Sequence, residues 1–310
     1  MNPTVLKQRA QVLKRIRDFF LTRGVLEVTT PCVVPQPVSD VHIESVALNT
    51  DPPSFLRTSP EAAHKWLLSQ GLTDVYEMGP VFRAGEIGQH HQPEFTLLEW
   101  YHVDWSWQAL AQEVADLIDD VAAQWQHAWP TRWVSWSQAC IESLGCTLTA
   151  DEADHWQDRV PVEAQHWPIE DQIDHVFATC VQTQWARDQI HIIYDYPAHQ
   201  KALAELSDDP MHAKRFEVFV GSVELANGYQ ELTDANEQRR RFGDDITERQ
   251  RRGLACPEPD ARLLGALEAG LPRCAGVALG VDRLVMLALG LGEIGDGYTL
   301  THDHPMNSNA

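Results

Sequence analysis

No apolar run in this chain approaches the roughly 18 residues that a membrane helix needs. The opening stretch MNPTVLKQRAQVLKRIRDFF spreads charge where a signal peptide would carry an unbroken apolar segment, so a cytoplasmic location is the default. Cysteines are few, at 32, 140, 146, 180, 256 and 274, and no two form a Cys-x-x-Cys pair. Neither structural zinc nor dithiol redox chemistry is suggested, and scattered thiols in a reducing compartment suffice. Positive charge is also scarce: 24 Lys and Arg stand against 45 Asp and Glu, a formal net charge of -21. That balance opposes broad binding to nucleic acid, and stable tRNA binding is not expected. Basic residues gather as RRR at 239–241 and RQRR at 249–252, in a stretch also rich in Asp and Glu. This leaves a local basic surface open but fits a solvated helix face equally well. Repeats and low-complexity tracts are absent. His302 and His304 read as part of a polar tail.

What is present is an alternation of helix and strand signals over 310 residues. Residues 4–23 predict an amphipathic helix with Leu6, Leu13, Ile16 and Phe20 near one stripe and Gly24 as its C-terminal cap. A strand VLEVTT runs into Pro31, and residues 35–57 read as a Pro-rich connection. In SPEAAHKWLLSQG, Ser59 suits an N-cap, Pro60 the first helical position and Gly71 the close. Strands at 75–83 and 94–103 flank the polar loop GEIGQHHQP, and a helix covers 106–126. Residues 128–188, rich in Trp, acids and Gln, read as a helical insertion. A strand HIIYDYP at 191–197, a hairpin turning at Gly221-Ser222, helices near 234–252 and 258–269, and GVALG leading into a helix from Asp282 complete the pattern. Antiparallel hairpins with outer helices predict an α+β domain rather than a doubly wound parallel sheet. The ending from 291 to 310 is expected to be disordered.

Three segments carry chemistry. In FRAGEIGQHHQPEFTLLEWY, an Arg at a strand end opposite a long loop can reach a phosphate. Strand alternation puts Glu94, Thr96, Leu98 and Trp100 on one face and Phe95, Leu97, Glu99 and Tyr101 on the other. A carboxylate set among apolar neighbours wants a cationic partner. In VELANGYQELTD, Glu224 and Glu231 converging across a kink at Asn227-Gly228 could hold magnesium, although two exposed Glu are the plainer reading of that spacing. In GVALGVDRLVMLALG, Gly280 permits close backbone approach and Arg283 opens a helix whose N-terminus favours anions.

As a set, the three resemble the class II aminoacyl-tRNA synthetases, specifically the lysyl branch. Pro31 in GVLEVTTP looks like motif 1, FRAGE to PEF like motif 2 and GVALGVDR like motif 3. The likeness runs from about residue 5 to 290. It is strongest to the truncated relatives of lysyl-tRNA synthetase that ligate a lysine to elongation factor P and lack the anticodon-binding domain. It implies a class II antiparallel sheet flanked by helices, a homodimer built on motif 1, ATP and Mg2+. It also implies activation of a lysine-like amino acid, (R)-β-lysine in that family, as an adenylate, and transfer to a lysine of elongation factor P. By resemblance Arg83 grips the α-phosphate. Phe95 and Arg283 sandwich adenine, and Ala84, Gly85, Glu86, Gln92, Leu225 and Gly280 complete the ATP contacts. Glu224 and Glu231 hold magnesium. Ser59, Pro60, Glu61, Glu99, Tyr101, Asn227, Tyr229 and Glu231 line the amino-acid pocket. Ala84-Gly85, Gln89, His90 and Gln92 depart from the usual motif 2 loop. The alternatives are a minimal enzyme charging tRNA and an inactive regulatory paralogue.

Overall fold

The structure, a computed structural model, describes residues 2–299. The chain falls into two compact units: one of Met1–Trp105 with Leu232–Ala310, the other of Ser106–Glu231. In chain order the first unit begins with helix α1 (Pro3–Arg23), strands β1 (Leu26–Glu27), β2 (Val33–Val34), β3 (Val46–Leu48) and β4 (Ser54–Leu56), helix α2 (Glu61–Ser69), and strands β5 (Asp74–Phe82) and β6 (Glu94–Val103). The second unit holds α3 (Trp107–Ala122), β7 (Thr131–Ser135), α4 (Trp136–Leu144), α5 (Ile169–Val176), β8 (Ile190–Pro197), β9 (His212–Val220) and β10 (Val223–Gln230). The first unit resumes with α6 (Ala235–Arg251), α7 (Ala261–Glu268), β11 (Cys274–Gly280) and α8 (Val281–Ala288).

In the first unit β5, β6 and β11 are antiparallel neighbours, and β1 adds to β5 in parallel. Helix α1 covers one face. Its buried stripe is Val5, Val12, Ile16, Phe19 and Phe20, shifted from the predicted one, which contained Leu6 and Leu13. The helix stops where predicted, because Gly24 takes the left-handed conformation (φ 73°) that ends a helix. On the other face α2 and α7 pack around Leu68, Val75, Tyr101, Leu267, Leu271 and Cys274. The Pro-rich connection is not featureless: β4 pairs with both β2 and β3 in a small antiparallel sheet. Two- and three-residue strands leave no periodic signal to read.

In the second unit β8, β9 and β10 are antiparallel, and β7 joins β8 in parallel. The stretch read as a helical insertion is thus partly strand. Its side chains, among them Trp136, Trp156, Val160 and Phe177, share one core with Ile193, Tyr196 and Phe219 of the sheet. The α+β class holds, with parallel pairs at β1/β5 and β7/β8 added to an antiparallel pattern. No helix among the described residues is long and apolar enough to cross a membrane.

Two surface expectations resolve simply. Along α6, Arg240 and Arg241 pair with Glu237, and Arg251 and Arg252 with Glu248, while Arg239 and Arg249 reach Glu268 and Glu44, so every arginine of the basic runs has a carboxylate partner. The ending is ordered through 299: Ile294 is buried, and the Tyr298 hydroxyl donates to Asp282 Oδ2 at 2.6 Å. One Ile and one Tyr among Gly and Asp anchor a segment whose composition predicts disorder. The rest of that expectation, with His302 and His304, lies outside the described residues.

Candidate active site

Strand β6 separates two environments, as its alternation requires. On one face Trp100 packs edge-on against Phe20 at 5.3 Å, and Arg9 donates to Thr96 Oγ1 at 3.1 Å. On the other, Glu99 lies only 2 % exposed at the start of α2. The Ser59 hydroxyl donates to Glu99 Oε2 and the Tyr101 hydroxyl to Oε1, both at 2.7 Å. Ser59 Oγ also accepts from the Glu61 amide at 2.9 Å, and Lys65 Nζ donates to Glu61 Oε1 at 2.6 Å. Pro60 is buried between them. Ser59, Pro60, Glu61, Glu99 and Tyr101 are therefore brought together as expected. Burial pushes the Glu99 carboxyl up, the nearby His64 pulls it partly back, and the charge of Glu61 raises it again.

Directly across the ladder from Glu99 stands Glu77, a carboxylate not foreseen. It accepts from Arg57 Nη1 at 2.7 Å and Thr30 Oγ1 at 2.7 Å, and faces His64 Nε2 at 3.1 Å. Gly79, two residues along, makes room: a Cβ there would meet Arg57 Nη2 at 2.9 Å. Burial pushes the Glu77 carboxyl up, but hydrogen bonds from His64, Thr30 and Arg57 outweigh it and hold the pKa at about 2. A folded-state pKa below the unfolded value gives stability that is present above about pH 4.5 and lost as pH falls toward 2. Glu77→Gln leaves Arg57 buried and uncompensated. We expect it to cost roughly 3 kcal/mol at pH 7, with the deficit shrinking below pH 4.5. Denaturant titrations of both proteins at pH 7 and pH 3 measure this; an equal deficit at both pH values would count against the ion pair.

Arg83, immediately after β5, is fixed through its amide to the Pro93 carbonyl at 2.9 Å. Its guanidinium lies 5.2 Å from the centre of the Phe95 ring and 3.9 Å from Glu86. Its Nε is buried without a hydrogen bond among the described residues, a donor available to an anion. Gly85 adopts φ 77°, and Gln92 is buried. Arg283 was expected to face Phe95 across adenine. Here Arg83 lies over that ring, while Arg283 donates to the His90 carbonyl at 3.2 Å and meets His91 Nε2 at 2.7 Å. Burial and the Arg283 charge lower the pKa of both imidazoles, so a neutral His91 accepts from Arg283. Asp282 fixes α8 to β6, accepting from the Thr96 amide at 2.6 Å and pairing with Arg9 at 2.5 Å. The loop tip is held as well: Gln89 donates to the Gly292 carbonyl at 3.0 Å and accepts from the Ile294 amide at 2.9 Å. Among the described residues, the nearest atoms to a Cβ at Gly280 belong to the Arg283 side chain, at 3.7 Å, an ordinary van der Waals contact.

In the second unit, the register of β9 and β10 shifts between Glu224 and Ala226. Without that bulge Glu224 would face away from Asn227 and Tyr229; with it, all three share the face of Glu217 and Arg215. Arg215 Nε donates to Asn227 Oδ1 at 3.2 Å, and Asn227 Nδ2 to the Tyr229 hydroxyl at 3.0 Å. Arg215 also pairs with Glu217, which accepts from the Tyr196 hydroxyl at 2.6 Å. Burial raises the Glu217 carboxyl, Arg215 lowers it, and the charge of Glu224 raises it again. Leu225 is buried behind this face.

Glu231, the other carboxylate expected at magnesium, lies one residue past β10, bridges to Ala204 and is 3 % exposed. The carboxylate beside Glu224 is Glu217, one diagonal step across the ladder. The pattern Arg215-Phe-Glu217-Val was its only sequence signal: paired charges alternating with core residues.

The family model of the tRNA synthetases class II (D, K and N) matches residues 2–301. The chain belongs to that family. Among curated proteins, one from Klebsiella pneumoniae subsp. pneumoniae is 41% identical, with 97% of this chain and 95% of that protein covered. One from Avibacterium paragallinarum is 39% identical over 94% and 93%, and one from Salmonella typhi 39% over 97% and 95%. Each is named an elongation factor P–(R)-β-lysine ligase.

Proposed function

We propose that this chain is an ATP-dependent ligase that activates a lysine-like amino acid, (R)-β-lysine, as its adenylate and transfers it to a lysine ε-amine of elongation factor P. The observation that carries the reading is the buried Glu99, dressed by the Ser59 and Tyr101 hydroxyls with Glu61 alongside. Such an anionic recess suits an ammonium group, and proteins about 40% identical bear the ligase name. In the first step a carboxylate oxygen of the amino acid attacks the α-phosphorus in line and pyrophosphate leaves. In the second the lysine nitrogen attacks the acyl carbon, AMP leaves and the amine gives up a proton.

Arg83, with its available Nε donor, holds the α-phosphate, and Arg283 gives up its loop contacts to meet the nucleotide. Phe95 offers a face for adenine, and Gly280 leaves the backbone open to it. Magnesium, when bound, neutralises phosphate charge. Glu224 and Glu231 would hold it, with Glu217 beside Glu224 across the β9/β10 ladder. The protein is read as a cytoplasmic homodimer, so light scattering should report twice the 35.0 kDa of one chain. The deciding experiment is pyrophosphate exchange with lysine and β-lysine, then transfer of the labelled amino acid to purified elongation factor P and to bulk tRNA. Exchange is expected with both, and transfer to the protein only. Preference for tRNA would replace this reading with the tRNA-charging one, and no exchange would leave the inactive paralogue.

A further inference from the structure

His64 is fully buried on α2, between the two carboxylates that face each other across the ladder. Its Nε2 lies 3.1 Å from Glu77 Oε2. Glu77 is held ionised by Arg57 and Thr30, so Nε2 carries a hydrogen and donates it. The other nitrogen, Nδ1, is buried without a hydrogen bond among the described residues and faces Glu99 Oε1 at 4.0 Å. A bare Nδ1 lone pair opposite an ionised Glu99 would set two acceptors against each other in a dry site. One proton belongs in that gap, on Glu99 or on Nδ1. A closing movement of about 1 Å brings the two atoms into hydrogen-bond range.

We propose that His64 is a positioning residue for amine recognition, taking up the proton of Glu99 when a substrate ammonium arrives and so presenting it with a carboxylate without exchanging a proton with solvent. The O–H bond on Glu99 breaks, an N–H bond forms on Nδ1, and the imidazolium that results sits between Glu77 and Glu99. The surroundings support that cation. From β5 comes Glu77, from β6 Glu99 and, edge-on at 5.5 Å, the Tyr101 ring. Arg57, after β4, is already spent on Glu77, and on α2 itself Lys65 is paired with Glu61. Helix α7 meets α2 through Gly265 at Trp66 and Leu267 beside Leu68; of its ionisable residues, Asp260 caps the helix, Glu268 pairs with Arg239, and Arg262 completes the set. The raised carboxyl of Glu99 agrees with a proton held at this place. The inference rests on the reading that Glu99 receives an amine of the substrate.

His64→Gln keeps a side-chain amide able to donate to Glu77 but cannot take up a proton. Glu99 must then lose its proton to solvent before it can meet an ammonium. The KM for lysine in pyrophosphate exchange should fall about tenfold per pH unit as pH rises while Glu99 stays protonated, and level off toward the unsubstituted value once it ionises. Without the substitution it should vary less than about threefold from pH 6.5 to 8.5, and the KM for ATP should not follow pH in either protein. A pH-independent rise in the variant, or no rise, overturns the proposal. Calorimetry of lysine binding at pH 7 in buffers of differing ionisation enthalpy gives a second readout. The unsubstituted chain should release fewer than about 0.3 protons and His64→Gln close to one. If the variant does not fold, release of a whole proton by the unsubstituted chain still overturns the proposal. A chain that neither binds lysine nor exchanges pyrophosphate refutes the ligase reading itself, and this inference with it. Normal exchange with an unresponsive His64→Gln refutes only the role of His64.

Discussion

Glu217→Gln, Glu224→Gln and Glu231→Gln should each lower pyrophosphate exchange by at least about 100-fold. Losing one well-placed charge contact on a reacting phosphate group costs on the order of 3 kcal/mol, which is about two orders of magnitude in rate. Glu217 and Glu224 share a face across the β9/β10 ladder, and burial first, with the charge of Glu224 added, raises the Glu217 carboxyl. Removing a charge weakens the field that would hold a divalent ion, so the residual rate should also need more magnesium. Glu231 is also assigned to the amino-acid pocket, so its loss should in addition raise the KM for the amino acid. Titrating exchange with magnesium for the three variants decides the matter. Glu217→Gln also strands Arg215, so thermal denaturation of that variant separates a stability loss from a metal loss. Unsubstituted magnesium dependence in a folded Glu217→Gln would remove Glu217 from the magnesium site and leave Glu224 and Glu231.

The same pair shows what the sequence could and could not convey. Hairpins were legible because alternation and turn residues are local: β5 with β6 falls within a residue of its predicted span, and β9 with β10 turns at Gly221-Ser222 as predicted. The faces of β6 followed from period two, and the structure puts Trp100 and Glu99 on opposite sides as that period requires. A bulge defeats such counting. Glu224 and Asn227 have opposite parity in sequence, and only the register shift aligns them. Glu77 was passed over because its meaning is non-local: Thr30, Arg57 and His64 converge on it from three other segments. Arg83 at a strand end and Arg283 at a helix start were legible as positions, yet the contact of Arg283 with His91 depends on a loop conformation that no spacing encodes. The ordered segment at 291–299 hangs on Ile294 and Tyr298, too few residues to outweigh a Gly- and Asp-rich composition.

Norleucine should support exchange far more weakly than lysine, by a factor between about 30 and several thousand. It matches lysine in length and lacks only the terminal amine, so the comparison isolates charge from shape. The carboxylates this reading assigns to substrate amines are Glu61, Glu99 and Glu231. Glu99 is 2 % exposed, so water cannot replace a missing ammonium there. A substrate with one amine leaves at least one buried carboxylate without its cation. That carboxylate must stay charged in a dry site or take a proton it would otherwise not hold, a penalty on the order of 2 to 5 kcal/mol. The hydroxyls of Ser59 and Tyr101 soften the penalty at Glu99 without removing it, because they also serve that carboxylate when lysine is bound. Lysine and β-lysine present the same two charges and differ only in where one amine stands along the chain. Preference between them is therefore a matter of which acceptor each amine meets, and β-lysine should be favoured by the smaller margin. Measuring kcat/KM for exchange with the three amino acids tests both margins at once. Equal use of norleucine and lysine would show that the buried carboxylates are not reading charge, and that the recess around Glu99 serves the fold rather than the substrate.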